Sequence, residues 1–443
     1  MASDPVPTPP TSPPGAVRRP SPLKRLTERD ARPFFAVAVL ATVAALAIPA
    51  DPEPLAISGL IAATLVTAVA LPCILRILRP GRWVVVVTLL ALAVPVVVQT
   101  TQNLTNDSIH PRLRYHDGGV LATRAAARDV MAGRNPYVAS FRDDIPSYWT
   151  PLVDRHGDRT PNPLVEHYPY LPGAFLVQIP FLVVGDALGV DWDPRLIGVA
   201  LLLATGVVVA RRTEAPWARA ATILVLGSAF PVTYGAWGRN DVIPGCLILL
   251  TAFAALSRPR LAGALFAVAV SFKFLVLVAA IPLVWWVVHR QGVAALRRWW
   301  TAPALLAVTC LPFLLADPRA FVDDTLLFNL GLTDLVYPTS GMGLPVAAPG
   351  IFHGPVLALA TLASEALALA LPVLIVWRYR RAAAIPFGAA VGTWFLIWPS
   401  RTFQTGYLTL IVVLASTGWL LIDGVASDPD PEPDEPGDYS GVV

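Results

Sequence analysis

The sequence predicts an all-α, polytopic membrane protein of about twelve transmembrane helices, and three observations carry that expectation. Hydrophobic residues make up 55% of the 443-residue chain and charged residues only 14%, with a positive mean hydropathy, a balance foreign to soluble domains. The apolar residues gather into runs near the roughly 20 residues that cross a bilayer as one helix. Arginines cluster in alternate turns between those runs, as expected when basic loops stay cytoplasmic. The net charge of +3 is too small to imply a nucleic-acid partner. Cys73, Cys246 and Cys310 all lie in apolar runs, so they read as packing residues and give neither a disulfide frame nor a metal motif.

Charge and span length together order the elements. Residues 1–33 form a Pro- and Ser-rich tail that ends in a basic cluster from Arg18 to Arg32; it is expected to be disordered and cytoplasmic. An additional hairpin spans 34–82, with Phe34 to Ala50 going out, Asp51-Pro52-Glu53-Pro54 turning, and Leu55 to Leu75 returning to Arg76, Arg79 and Arg82. The main transmembrane body is expected over 83–422. Its first run, Trp83 to Val98, goes out and leaves the long polar region 99–193 outside. Within that region Leu171 to Val184 is cut by Pro172 and Pro180 and is too short to cross, so an interfacial or re-entrant segment is expected.

Pro194 to Ala210 then returns to Arg211 and Arg212, Ala220 to Tyr234 goes out, and Val242 to Leu256 comes back to Arg258 and Arg260. The apolar stretch Leu261 to Val288 is too long for one span. Read as a tight hairpin of two short helices, it keeps Arg290, Arg297 and Arg298 inside and puts Lys273 at the outer tip. Trp299 to Leu315 leads to a second outer loop, 317–354; Pro355 to Val376, Ala382 to Trp398 and Gln404 to Leu421 complete the set. Residues 423–443 are acidic and Pro-rich and are expected to be a disordered tail, leaving both termini cytoplasmic.

On this topology Asp117, Arg239, Asn240, Asp241, Lys273, Asn329, Asp334 and Arg401 all fall at outer span ends or in outer loops. Ionisable residues near membrane depth are costly, so they are functional candidates. Asp117 precedes a helix-compatible run, Val120 to Met131, and reads locally as an N-cap; a capping carboxylate can still face a cavity and act as a base. Lys273 could be a snorkelling lysine, but it is one of only two lysines in the chain and sits among Val, Ala, Phe and Leu. A point charge there suits a lipid-linked phosphate. Arg124 and Arg128, one turn apart, read as a solvated or headgroup-facing edge. His116, His167 and His353 lack metal-ligand spacing and read as headgroup or hydroxyl contacts.

The order of motifs is informative: an Asp in the first outer loop, then "AGRNPY", "YPYLPG", a "GRND" loop, the lysine of "AVAVSFKF", and "PSRTFQTGY" before the last span. Taken together, over roughly Trp83 to Leu421, this resembles the GT-C superfamily of integral membrane glycosyltransferases, and especially family 87, the polyprenol-phosphate-mannose-dependent mannosyltransferases. The resemblance implies a GT-C-type helical membrane fold in the cell membrane with an active site facing outside. It also implies inverting transfer of a sugar, mannose in that family, from a polyprenyl-phosphate donor to a hydroxyl of a glycolipid or glycan acceptor. Asp117 takes the place of the catalytic Asp, Arg239 and Asp241 that of the second-loop polar site, and Lys273 that of the lysine near the donor phosphate; by charge, Arg239 and Arg401 could share the phosphate with it. His116, Tyr137, Tyr168, Asn240, Asp241 and Asn329 are the expected substrate contacts.

The chemistry fits the residues independently. A carboxylate in hydrogen-bond reach can take the proton of an acceptor hydroxyl, and cations can stabilise the departing phosphate. The donor carries the energy, so no nucleotide motif is needed and no cofactor is expected; the sequence shows no dedicated cage for a divalent cation. A transporter or flippase of a lipid-linked sugar is the alternative. It calls for polar residues through the depth of several helices, whereas these runs are apolar with charge at their ends.

Overall fold

The computed structural model describes residues 118–145, 152–153, 159–227, 229–236, 238–400 and 402–424, with a helical stretch at 89–90, 92–94, 96–98 and 100–101. The two expected tails (bar 423 and 424), the hairpin 34–82, and Asp117, His116 and Arg401 lie outside the described residues. Regular structure is helical apart from four two-residue strands. Two of these, β1 (Leu152–Val153) and β2 (Arg159–Thr160), pair antiparallel; the other two, β3 (Ser340–Gly341) and β4 (Thr402–Phe403), pair in parallel.

The polar region after Asp117 is a folded layer and not an open loop. Helix α1 (Gly118–Met131) buries Ala122, Ala125, Ala126 and Ala127, a face of small side chains that lets its neighbours approach closely. Two short 3-10 turns follow, Pro136–Val138 and Pro163–Val165, and the same local chemistry starts both. In each, an Asn side chain (Asn135, Asn162) accepts the backbone N–H two residues on, at 3.1 Å, while Pro presets the first helical position. These turns carry Tyr137, Leu164 and Val165 into an apolar cluster with Phe141, Tyr168, Phe175, Leu182 and Phe321. Tyr137 meets Phe321 edge-on at 5.0 Å and Phe313 at 5.7 Å, so the two expected outer loops pack on each other.

Leu171 to Val184 becomes α2 (Gly173–Leu176) and α3 (Ile179–Leu188), which together fall short of span length as expected. Phe181, Val183, Val184 and Leu188 are exposed on α3. Arg124 and Arg128 of α1 form an edge that is partly solvated, with Arg128 exposed, and that is paired with carboxylates. Arg124 pairs with Asp191 and Arg128 with Asp186 at 3.4 Å, because α1 packs against α3 and places their charged edges together.

The body follows the sequence-based boundaries closely: α4 (Arg195–Arg212), α5 (Pro216–Leu226), α6 (Ala229–Ala236), α7 (Val242–Ala254), α8 (Pro259–Phe272), a 3-10 turn (Phe274–Ala279) running into α9 (Ala280–Gln291), and a further 3-10 segment (Val293–Trp299) before α10 (Thr301–Ala316). After α10 come α11 (Pro318–Val322), a π-helical turn (Asp323–Leu327), α12 (Phe328–Leu330), α13 (Leu344–Ala347), α14 (Gly354–Tyr379), α15 (Ala384–Ile397) and α16 (Thr405–Gly424). Helix α16 packs on α5, α7 and α15, and α15 packs on α14, where Gly388 and Gly392 lie against Pro372.

Two described helical segments are long and apolar enough to cross a membrane, Phe274–Gln291 and Gly354–Tyr379; the pair Val293–Trp299 and Thr301–Ala316, bent by 45°, makes a third if it is one span. Among the described residues, Gly173–Leu188, Pro216–Leu226, Val242–Ala254, Pro259–Phe272, Ala384–Ile397 and Gly406–Ile422 are shorter apolar stretches of 10–17 residues. Twelve full-length spans are therefore not found among the described residues. Proline opens several helices, as at Pro216, Pro259 and Pro318, and cuts apolar runs that hydropathy reads as continuous.

The break expected at Lys273 is present: α8 ends there, with Lys273 extended at φ −156° and ψ 107°. The chain then returns, since the Thr301 hydroxyl donates to the Arg260 carbonyl at 2.6 Å. The arms do not pack as a tight pair. Helix α8 lies on α7 and α10, and α9 lies on α14.

Candidate functional site

The loop Gly238-Arg239-Asn240-Asp241 enters α7 beside two other helix starts. Gly238 has φ +78°, a left-handed conformation that an L side chain resists. A Cβ there would also stand 2.9 Å from Arg195 Cγ and 3.8 Å from Val120 Cγ2. The first turn of α1, directly after Asp117, thus adjoins the "GRND" loop. Arg195, at the start of α4, is buried and held in a fork by Asp193: Nε donates to Oδ1 at 3.0 Å and Nη2 to Oδ2 at 2.7 Å. Neither Asp193 nor Arg195 stands out in the sequence, where "DWDPR" reads as a loop before a span.

Lys273 and Asp241 meet although they are 32 residues apart. The lysine ammonium donates to Asp241 Oδ1 and stands 4.2 Å from the centre of the Tyr407 ring. Both charges are withdrawn from solvent, with side-chain exposures of 14% and 4%. Gly406 makes room for the pair, since a Cβ there would lie 2.6 Å from Asp241 Oδ2. The start of α16 is fixed in turn by the 340s segment: Met342 N–H donates to the Phe403 carbonyl at 3.0 Å and Leu344 N–H to the Trp398 carbonyl at 2.9 Å. Lys273 alone is extended, between the end of α8 and the 3-10 turn Phe274–Ala279.

Lys273 is therefore a charge-paired residue, neutralised by Asp241. Arg239 differs. It is half-buried, its guanidinium lies 5.8 Å from the Tyr234 ring, and its Nε has no hydrogen-bond partner among the described residues. No carboxylate pairs with it among the described residues. A half-buried arginine without a counterion favours an anion. Asn240, buried at 5% exposure, lies between Arg239 and Asp241.

A second polar centre joins the two segments that the sequence predicts to be outer loops. His167 Nδ1 lies 2.6 Å from Asp324 Oδ1, and Tyr168 N–H donates to Asp324 Oδ2 at 2.8 Å. Asp324 sits in the π-helical turn, and Phe328 stacks on the imidazole at 5.0 Å. The Asp324 hydrogen bond holds the imidazole pKa above its ordinary value, against the opposing effect of burial. Burial pushes the Asp324 carboxyl up, and the bonds it accepts pull it back. The sequence singles out His167 only as a headgroup or hydroxyl contact and passes over Asp324, because nothing local marks a carboxylate whose partner is 157 positions away. From His167 the "YPYLPG" segment runs to Gly173, where a Cβ would lie 2.5 Å from the Ser271 hydroxyl, two residues before Lys273.

Three expected substrate contacts have other work in the structure. Tyr137 and Tyr168 are buried in the aromatic cluster, with hydroxyls donated to the Tyr170 carbonyl at 2.9 Å and to Thr123 Oγ1 at 3.2 Å. Burial raises the pKa of both phenols, so neither is a proton acceptor near neutral pH. Asn329 ties its amide to the Pro169 and Thr325 carbonyls. No group of three His, Cys, Asp or Glu side chains among the described residues is placed to hold a metal ion. No protein-family model, curated protein or solved structure matches the chain.

Proposed function

We propose that this chain is an integral membrane glycosyltransferase of GT-C type, resembling the family-87 mannosyltransferases. It transfers a sugar, mannose, from a polyprenyl-phosphate donor to a hydroxyl of a glycolipid or glycan acceptor on the outer face of the cell membrane, with inversion at the anomeric carbon. The observation that carries the reading is that the loop bearing Arg239 and Asp241 adjoins the first turn of α1, the helix that Asp117 precedes, through Gly238 and Val120, while Asp241 pairs with Lys273. Three stretches distant in sequence, singled out because of the motif order, thus adjoin in turn at two helix starts and at the end of α8.

The roles follow from charge. Asp117 accepts the proton of the acceptor hydroxyl, the hydroxyl oxygen bonds to the anomeric carbon, and the bond from that carbon to the phosphate oxygen breaks. The polyprenyl phosphate leaves with its charge met by Arg239, the cation without a described counterion, and by Arg401. Lys273, held by Asp241, positions the loop and adds its positive charge when a phosphate competes for it. Membranes carrying the chain, incubated with labelled polyprenyl-phosphate mannose, yield a labelled glycolipid or glycan. Asp117→Asn abolishes that product while insertion stays normal. A labelled donor that is moved across the bilayer without any product would favour the transporter reading.

A further inference from the structure

At the opposite end of α8 from Lys273, an open surface pocket of about 500 Å³ is lined by Ser257, Arg258, Pro259, Arg260, Leu261 and Arg298, with all three arginines exposed. Two distant segments build it. The Thr301 hydroxyl bonds to the Arg260 carbonyl, and a Cβ on Gly263 would lie 3.1 Å from the Trp299 carbonyl, so the turn before α8 and the segment after α9 are held side by side. From residue 242 to 316 the chain contains no Asp or Glu. None of the three arginines has a carboxylate partner among the described residues. The pocket also opens at the N-terminus of α8, where free N–H groups and the helix dipole add positive potential. Leu261, which lines it, is 45% exposed, and Trp300, next to the Thr301 that bonds to Arg260, is 53% exposed. Arginine that only sets orientation needs to be in the loop; it does not need to converge on a pocket.

We propose that this pocket binds a phosphate-bearing anion, the headgroup of an anionic phospholipid, with Arg258, Arg260 and Arg298 as its contacts. The exposed Trp300 and Leu261 then meet the boundary between headgroup and acyl chain, where tryptophan is enriched, and this favours a lipid over a soluble phosphate. The inference does not depend on glycosyl transfer. Its ligand chemistry matches basic pockets between membrane helices.

The test uses the purified full chain in phosphatidylcholine nanodiscs doped with phosphatidylglycerol, with bound phosphatidylglycerol counted by native mass spectrometry. The wild type is expected to retain phosphatidylglycerol over phosphatidylcholine. Arg258→Gln/Arg260→Gln/Arg298→Gln is expected to lose affinity by about fivefold per arginine, on the order of a hundredfold in all. Arg211→Gln/Arg212→Gln/Arg378→Gln, which removes the same charge elsewhere, is expected to lose less than about threefold. Equal losses in the two triples, or no enrichment in the wild type, would overturn the proposal. If the glutamine triple does not fold, Arg258→Lys/Arg260→Lys/Arg298→Lys decides: it keeps the charge but not the planar fork, so affinity falls if a pocket binds phosphate and is unchanged if charge alone acts. Displacement of the lipid by millimolar inorganic phosphate would overturn the lipid assignment in favour of a soluble phosphate.

Discussion

Asp241→Asn is the perturbation that separates a structural pair from a free lysine. In the folded chain the Asp241 side chain is 4% exposed and the Lys273 side chain 14%, so solvent screens the pair weakly. Removing one member of a buried pair leaves the other charge unpaired, at about 3–5 kcal/mol. The Tyr407 face, 4.2 Å from the ammonium, keeps about 1 kcal/mol of that for the stranded lysine. Asp241→Asn is thus expected to lose about 3 kcal/mol, and Lys273→Met a similar amount with the aspartate stranded. The double variant buries no unpaired charge and is expected to lose only about 2 kcal/mol, a coupling of about 4 kcal/mol. Equilibrium unfolding in mixed micelles measures all three. Additivity of the single losses within about 0.5 kcal/mol would refute the pairing. Sugar transfer supplies the second readout: the double variant regains stability but stays inactive if Lys273 also serves the donor phosphate.

Gly406→Ala is expected to destabilise by about 1–3 kcal/mol through overpacking, because its Cβ would lie 2.6 Å from Asp241 Oδ2; stability unchanged from wild type would contradict the close approach. Tyr137→Phe is expected to cost about 1 kcal/mol by leaving the Tyr170 carbonyl without its 2.9 Å donor, with the KM for donor unchanged; a raised KM would restore a substrate role to Tyr137. The His167–Asp324 pair gives a pH signature. The imidazole pKa is raised in the fold above its ordinary 6.5, so its contribution is fully present below 6.5 and is lost as pH rises through the raised value. Unfolding measured from pH 5 to 9 should show that decline in the wild type, and His167→Gln should lack it; identical pH profiles would remove the pair as its source.

The sequence is most legible where short-range rules act. The ends of α7, α10, α14 and α15 lie within a few residues of the apolar runs that announce them, and the break at Lys273 follows from length and charge before any coordinates. Span number is less legible, because Pro216, Pro259 and the extended Lys273 shorten helices that hydropathy alone cannot divide. In the site, Arg239, Asp241 and Lys273 could be named from charge at apolar-run ends, but not that Asp241 belongs to Lys273. Asp193, Arg195 and Asp324 escape notice for a related reason: each looks like an ordinary loop charge until the fold supplies its partner. Tyr137 and Tyr168 show the converse, a packing role that their motif does not announce. Aromatic residues in motif-like segments read as binding residues, yet here they form the core that joins the expected outer segments.

The pairing of Asp241 with Lys273 also bears on how the chain is made. Helix α7 leaves the ribosome first with its aspartate at one end, and α8 follows with the lysine at the end that comes to lie beside it. Each charge stands at a helix end, where it costs less than at mid-bilayer but is still better paired than alone. On the proposed membrane reading, α7 and α8 entering as a two-helix unit would present the lipid with a neutral pair. The translocon would then release them together, and Lys273→Met would hinder the integration of a helix that does not contain it, α7, with its unmatched Asp241.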